Sequence, residues 1–324
     1  MNDSTDQILE PDLAICDPHH HLFEHPTFGS YLLPDLYADI AIGHNIKATV
    51  FVDSHAFYSR RLPPEMASIG EVEFAAGMAA IADSQHYGTT RICAGIVGFA
   101  DLQQGARVEE LLEAQIVAGG GRFSGIRQMA GYDPAVPVDH RVETPPNLYL
   151  TSAFREGFAS LDKLGLSFDA WVFHTQIDEV TSLARAFPDT PLVLNHMASP
   201  LNVGPYAGKH NEVFADWHSG IRRLAEHPNT YVKLGGLGMT TFRGPAPDTS
   251  IDGLANTWRP FIETAIEAFG PSRAMFESNY PVDRQTCSYV TIWNVFKRIA
   301  ANYNPDEKRM LFYDTARKFY RIDI

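Results

Sequence analysis

The sequence predicts one α/β domain, a single (β/α)8 TIM barrel, and three observations carry that expectation. Eight runs rich in β-branched and apolar residues recur along the chain, each followed by a longer stretch with helical spacing, which is the alternation of βα units around a parallel sheet. The 324 residues, 45% of them hydrophobic, suffice for one large core, and α/β barrels of about 250 residues or more are a common single-domain solution. No stretch reads as an interdomain linker, an internal repeat or a low-complexity tract. The domain is therefore expected to occupy 1–324, with about 1–11 as a flexible N-terminal tail.

The eight strands are expected within 13–22, 46–56, 91–102, 123–130, 166–176, 191–199, 230–239 and 273–281. Helical spacing falls at 71–85, 108–117, 153–164, 178–186, 212–226, 253–268, 284–302 and 305–320. Asp178 is placed to cap the helix it opens, while Pro188, Pro228 and Gly270 follow helix ends and stop propagation. The longest irregular segments, 57–70, 131–147, 200–210 and 240–252, all follow strands, and long loops at that end of a barrel build its site.

Composition removes several classes of function. Twenty-six Lys and Arg against 39 Asp and Glu give a formal charge of -13, which repels nucleic acid and anionic membrane surfaces. Cys16, Cys93 and Cys287 are widely spaced and lack a CxxC pair, so neither a disulfide framework nor a thiolate zinc site is expected. The polar, acidic start MNDSTDQILEPD differs from a signal peptide, and no apolar run reaches the roughly 18 to 20 residues of a membrane span. These features predict a cytoplasmic protein with a small-molecule partner and leave its oligomeric state open. Gly119–Gly121 precede a strand without a GxxxxGK[ST] pattern and read as a turn, and no GxSxG elbow supports a serine nucleophile.

The chemistry concentrates at strand ends. In Asp17-Pro18-His19-His20-His21, strand alternation points Asp17, His19 and His21 one way and His20 the other. Two converging imidazoles can hold one divalent ion, and a nearby carboxylate can orient them. Pro18 is unusual in a central strand and predicts a bend. His174 and His196 end the fifth and sixth candidate strands, so three strand ends bring imidazoles to one rim. Each alone is equally served by a bond to a loop carbonyl. Asp53 and His55 share a face at the end of the second strand and add a carboxylate and an imidazole as candidate substrate contacts. The aromatics Phe57, Tyr58, Tyr132, Phe242 and Tyr280 fall in or beside post-strand loops, where they wall a pocket or simply pack; Tyr280 is the one taken as a substrate-binding candidate.

The sequence resembles the amidohydrolase superfamily, in the amidohydrolase-related branch that includes lactonases, decarboxylases and hydratases. The resemblance spans nearly the whole chain: DPHHH near the start, GIRQ at 125–128, HTQIDEVTSLARAFPDTPLVLNH at 174–196, VKLGGL at 232–237 and MFESNYPVD at 275–283. It implies a (β/α)8 barrel whose DxHxH histidines, and those after strands five and six, line the site. The matching positions are His19, His21, His174 and His196. The family's aspartate after strand eight, which binds metal or acts as general base, is replaced in Ser278-Asn279-Tyr280-Pro281 by Asn279. An amide is neither anionic nor a useful base, although it can still hydrogen-bond or offer a carbonyl oxygen.

Glu277 shares a strand face with Asn279 and is the candidate for the missing charge, as metal ligand or base. The competing reading is an ion pair with Lys233 on the seventh strand. Asp283 is a second candidate base or else the N-cap of a helix beginning near residue 284. Arg127 matches an arginine that similar lactonases use to hold a carboxylate or polarise a carbonyl, or it ties the fourth strand to its neighbours.

Together these imply hydrolysis of a small, lactone-type cyclic ester. His19, His21 and His174, with or without Glu277, would hold one divalent ion, zinc foremost; His196 or Asp283 would move the proton; and Arg127 would anchor the substrate. In a metal-free version the imidazoles and Arg127 stabilise the oxyanion directly. The alternatives are nonoxidative decarboxylation or hydration of a small carboxylic acid, and a non-catalytic ligand-binding barrel.

Overall fold

In the computed structural model, residues 7–138, 144–243 and 248–323 are described. Eight parallel strands follow one another in chain order: β1 (Ile15–His20), β2 (Ile46–Val52), β3 (Arg91–Gly98), β4 (Phe123–Met129), β5 (Ser167–Trp171), β6 (Leu192–Leu194), β7 (Thr230–Leu234) and β8 (Ala274–Phe276). A parallel bridge between His20 and Tyr280 brings β8 back to β1, and His21 N donates to Tyr280 O at 2.8 Å. The fold is the (β/α)8 barrel that the sequence predicts.

Each strand leads to a helix that packs outside the sheet: α1 (Leu33–Ile40), α2 (Ile69–Asp83), α3 (Val108–Ala118), α4 (Ser152–Lys163), α5 (Ile177–Ala186), α6 (His210–Ala225), α7 (Ile251–Phe269) and α8 (Tyr289–Ile299). Strand residues alternate between two cores. Leu192, Leu194, Val232, Leu234 and Phe276 join the outer core with the helices, whereas Cys16, Ala48, Val50, Val97, Val193 and Met275 point inward. The inner cluster is closed by Phe319, Tyr320 and Ile322 from the C-terminal segment. Among the described residues, no helix is long and apolar enough to cross a membrane.

Four elements depart from the sequence reading. Helix α1 and a small hairpin, Phe23–His25 with Gly29–Tyr31, occupy the segment after β1 to which the sequence reading assigned no element. In α1, Leu33, Leu36, Tyr37 and Ile40 are buried at helical spacing, and its start rests on Pro34 and on Asp35, whose carboxylate accepts from Leu32 N at 2.8 Å. Asp178 lies inside the first turn of α5 and pairs with Arg223 at 2.8 Å, so it does not cap that helix. The helix expected at 284–302 begins instead at Tyr289, after a 3-10 turn, because Ser288 supplies the cap to Thr291 N.

Residues 7–10 of the expected tail are held against α8: Leu9 N donates to Asn294 Oδ1 at 2.9 Å, and Lys297 Nζ donates to Leu9 O and Glu10 O at 2.8 and 2.9 Å. Residues 1–6 lie outside the described residues, as do parts of the loops expected at 131–147 and 240–252.

The C-terminal closure reaches the polar interior through Tyr320, whose hydroxyl lies 3.0 and 3.1 Å from the Asp169 carboxylate oxygens. Hydrogen bonds to charged groups contribute about 1.5–3 kcal/mol. Tyr320→Phe is expected to lower stability by that amount in urea unfolding, with an unchanged m-value.

Candidate active site

The site starts at a break in β1. Cys16 and Asp17 keep register with Ala48 and Thr49, and the pairing then slips before His20 meets Phe51. Pro18 has no N–H to contribute and sits in that slip. The irregularity inverts the alternation: Cys16 and His19 both face inward, and Asp17 faces out. Asp17 accepts from Ser278 N at 3.0 Å and from the Tyr289 hydroxyl of α8 at 3.1 Å. Burial pushes its carboxyl up to about 6. Asp17 therefore does not orient the imidazoles, contrary to strict alternation. His20 also faces out, onto Thr49 Oγ1 at 2.9 Å.

His19 and His21 converge, with their Nε2 atoms 3.2 Å apart. Burial and then Arg127 hold His21 down to about 3, and burial, Lys233 and the neighbouring imidazoles hold His19 well below its ordinary value. Both rings are neutral at physiological pH.

Glu277, just past β8, supplies the orienting carboxylate. Its Oε1 lies 2.6 Å from His196 Nδ1 and accepts from His196 N at 3.2 Å, while Oε2 lies 2.8 Å from His19 Nδ1. The alternative partner, Lys233, is committed elsewhere: its ammonium donates to Asp169 Oδ2 at 2.7 Å, and Asn195 Nδ2 and Tyr320 hold that carboxylate in place. The Glu277–Lys233 ion pair is thus corrected.

His196 is presented by an unusual backbone. Residues 196–199 have φ of +53°, +50°, +61° and +37°, a left-handed run without glycine. Trp217 Nε1 donates to Met197 O at 2.6 Å and Trp171 Nε1 to Ser199 Oγ at 3.0 Å, which pins the run. Opposite it, Gly236 has φ +69°, and a Cβ there would fall 2.4 Å from His196 Cγ. The neighbouring Gly235 similarly leaves room for Glu277. The GG pair was visible in VKLGGL, but its role was not. A side-chain displacement of about 1 Å can cost about 10²-fold in rate. Gly236→Ala is accordingly expected to lower kcat/KM by about that factor while far-UV circular dichroism stays native.

Arg127 on β4 lies on the other side of His19. Its Nε donates to Asp53 Oδ1 at 2.8 Å, Nη2 donates to Asp53 O, and Nη1 is 3.3 Å from His19 Nε2. His55 Nε2 is 3.2 Å from Asp53 Oδ2, so both residues read from the second strand join the constellation. Burial pushes the Asp53 carboxyl up, but Arg127 and His55 outweigh it and leave it below the ordinary value. Sequence reasoning missed Glu71, which holds this loop by accepting from Ser54 N at 2.8 Å and Ala56 N at 3.0 Å. A lone glutamate on a helix gave no signal of that role.

Three other candidates lie elsewhere. β5 ends at Trp171, and His174 opens a 3-10 turn, where its Nδ1 accepts from Leu201 N at 3.4 Å and its ring packs on Tyr206. Among the described residues, the group able to share an ion is His19, His196 and Glu277, with ligand atoms within 4.8 Å of one another. Neither His174 nor His21 is in it, although His21 Nε2 lies 3.2 Å from His19 Nε2. Tyr280 is buried against Tyr31 and Tyr289, with its hydroxyl donating to Cys287 O at 3.2 Å, so it is a packing residue rather than a substrate contact. Asn279, at φ +51°, turns its amide to Asp283 Oδ1 at 2.8 Å.

Asp283 Oδ2 accepts from Gly238 N at 3.0 Å, so this carboxyl bridges the ends of β7 and β8 and does not cap a helix. Burial, with the Glu277 charge adding to it, pushes Asp283 up to about 8. Between about pH 4 and 8 the folded chain keeps a proton that an unfolded aspartate has released. This group therefore makes stability fall as pH rises through that window, by at most about 1.4 kcal/mol per pH unit. Asp283→Asn is expected to flatten that part of the profile of unfolding free energy against pH.

The donor set fits a divalent cation. Among the described residues, buried Glu277 Oε2 makes no hydrogen bond, although it lies 2.8 Å from His19 Nδ1. The His21 Nε2 and His19 Nε2 positions lie at the spacing of neighbouring nitrogen ligands on one ion, about 3.2–3.4 Å for bonds near 2.0 Å.

The sequence family described as Amidohydrolase matches residues 16–322. An uncharacterized protein of Sinorhizobium fredii, y4mH, is 33% identical over 96% of this chain and 99% of its own length. An L-fucono-1,5-lactonase of Burkholderia ambifaria is 27% identical, with 72% of each chain covered. Among solved structures, an amidohydrolase of Burkholderia multivorans with bound zinc has a TM-score of 0.71 at 23% identity, over 96% of this chain and 100% of that one. This structural likeness shows the shared barrel.

Proposed function

We propose, from the premise that this chain belongs to the amidohydrolase family, that it opens a small cyclic ester of the sugar-lactone type. Family and relatives make it a hydrolase of a small molecule, and lactone hydrolysis is the activity its lactonase relative suggests. The observation that carries the reading is the Glu277–His196 pair, 2.6 Å apart and buried beside His19 and Arg127.

The Glu277 carboxylate accepts a hydrogen bond from the Nδ1–H of His196, which leaves Nε2 of that ring as the basic nitrogen. His196 Nε2 removes a proton from the attacking water as oxygen bonds to the lactone carbonyl carbon, and Glu277 offsets the imidazolium charge. The ring C–O bond then breaks, and the same proton passes to the departing alkoxide. Arg127 Nη1 is the donor left to steady the carbonyl oxygen, since Nε and Nη2 are held by Asp53. A divalent ion would be held by His19 and His21 with Glu277 beside them, and would polarise the ester and ease deprotonation of water. Zinc in the Burkholderia neighbour supports zinc as that ion.

Proton release from a panel of aldonolactones tests this reading. At least one lactone should open faster than with His196→Ala by about 10²- to 10⁴-fold. Acceleration of none overturns the lactonase reading. Chelator dialysis should lower kcat and added zinc restore it; undiminished turnover with substoichiometric zinc by elemental analysis overturns the metal part alone.

A further inference from the structure

Groups with fixed hydrogen-bonding roles surround His19 and restrict where its ring proton can sit. Val52 O only accepts, so His21, 2.9 Å away through Nδ1, carries its proton there and offers a lone pair at Nε2. That lone pair faces His19 Nε2 at 3.2 Å. On the opposite edge of His19, Lys233 Nζ only donates and lies 3.2 Å from Nδ1. Its other two protons reach Pro18 O at 2.9 Å and Asp169 Oδ2 at 2.7 Å, so three N–H groups meet three acceptors.

A neutral imidazole carries one proton, and two exclusive arrangements follow. With the proton on Nε2, His19 donates to His21 Nε2 and accepts from Lys233, while Glu277 Oε2 and Arg127 Nη1 go without His19. With the proton on Nδ1, the His19 N–H lies beside the Glu277 carboxylate, whose Oε2 is 2.8 Å away, and His19 accepts from Arg127 Nη1, 3.3 Å away. In that case His21 Nε2 and one proton of the buried ammonium lose their partner. Each arrangement satisfies two contacts and forfeits two. Although 2.8 Å from His19 Nδ1, Glu277 Oε2 is not in hydrogen-bond geometry with it, so the second arrangement gains less. An orphaned ammonium proton is also the costlier loss, because hydrogen bonds involving charged groups are the stronger ones.

We propose that His19 is a tautomeric switch: Lys233 holds its proton on Nε2 in the metal-free protein, and a cation moves that proton to Nδ1, where it stays on His19 beside the Glu277 carboxylate. The lone pairs of His19 and His21 at Nε2 then both face the cation, and no net proton leaves His19. Lys233 acts here as a positioning residue, one that opposes loading, and Glu277 favours it. The inference rests on the metal reading above, but its readout is the ring proton and zinc affinity rather than turnover.

The test is ¹⁵N NMR of histidine-labelled full-length protein, with His19 assigned by His19→Gln, without metal and with zinc. The expected result is an Nε2–H tautomer without metal and an Nδ1–H tautomer with zinc. Lys233→Met should give Nδ1–H already without metal and tighten zinc binding by about 10-fold, and Glu277→Gln should weaken it by about 10- to 100-fold, the range for groups that orient metal-bound histidines. If Lys233→Met folds poorly, the charge-balanced pair Lys233→Met with Asp169→Asn serves the same comparison. An Nδ1–H tautomer in the metal-free wild type, or no change at His19 on adding zinc, overturns the switch. Loss of lactone turnover with this NMR pattern intact would instead count against the lactonase reading.

Discussion

Glu277→Gln is expected to abolish most turnover, with kcat lower by about 10²- to 10⁴-fold, the range for removal of a positioned acid–base group. The substitution keeps the shape of a side chain that is fully buried between two imidazoles. It removes the charge that offsets protonated His196. An amide also presents a donor as well as an acceptor, so one face of the group no longer matches the His196 Nδ1–H. Steady-state kinetics on a lactone that the wild type opens gives kcat, and circular dichroism checks that the fold is retained. Loss in kcat with KM little changed is the expected pattern, because the interaction strengthens only as His196 becomes charged. A Glu277→Gln variant within threefold of wild type would remove Glu277 from the mechanism.

Arg127→Met is expected to cost about 3–5 kcal/mol of stability, the penalty for leaving one member of a buried ion pair alone. Arg127 is 5% exposed and Asp53 is fully buried, so water cannot replace the lost guanidinium. His55 remains beside Asp53 but does not substitute for two guanidinium hydrogen bonds. Pairing Arg127→Met with Asp53→Asn should recover most of the loss in urea unfolding, since the stranded charge is then gone. Equal destabilisation of the single and double variants would show that packing of the arginine stem, not the ion pair, stabilises this corner.

The barrel was legible because strands buried on both faces leave apolar runs that survive inspection one at a time, as in Arg91–Gly98 and Leu192–Leu194. Glu277 was legible too, because β8 keeps its alternation to the end, with Met275 and Glu277 both turned inward. Asp17 was misplaced for the opposite reason. One irregular residue at Pro18 reverses every face before it relative to those after it, and no alternation rule foresees that.

Contacts across the barrel were out of reach. Lys233 on β7 meets Asp169 on β5, two strands away, whereas the adjacency of the seventh and eighth strands suggested Glu277 instead. His174 was drawn into the metal set by continuing its strand to residue 176, whereas β5 stops at Trp171 and the turn that follows carries the ring to Leu201 and Tyr206. Gly236 was seen as part of a motif, but its reason, the close approach of His196, exists only in three dimensions.

The central claim is that Glu277 and His196 act as one unit in hydrolysis. A kinetic double-mutant cycle with Glu277→Gln, His196→Ala and the double variant tests it most directly. Groups that act together lose their effect together, so the double variant should be no slower than the worse single variant by more than about threefold. Losses in kcat/KM that multiply across the two substitutions would contradict the account and separate the two residues.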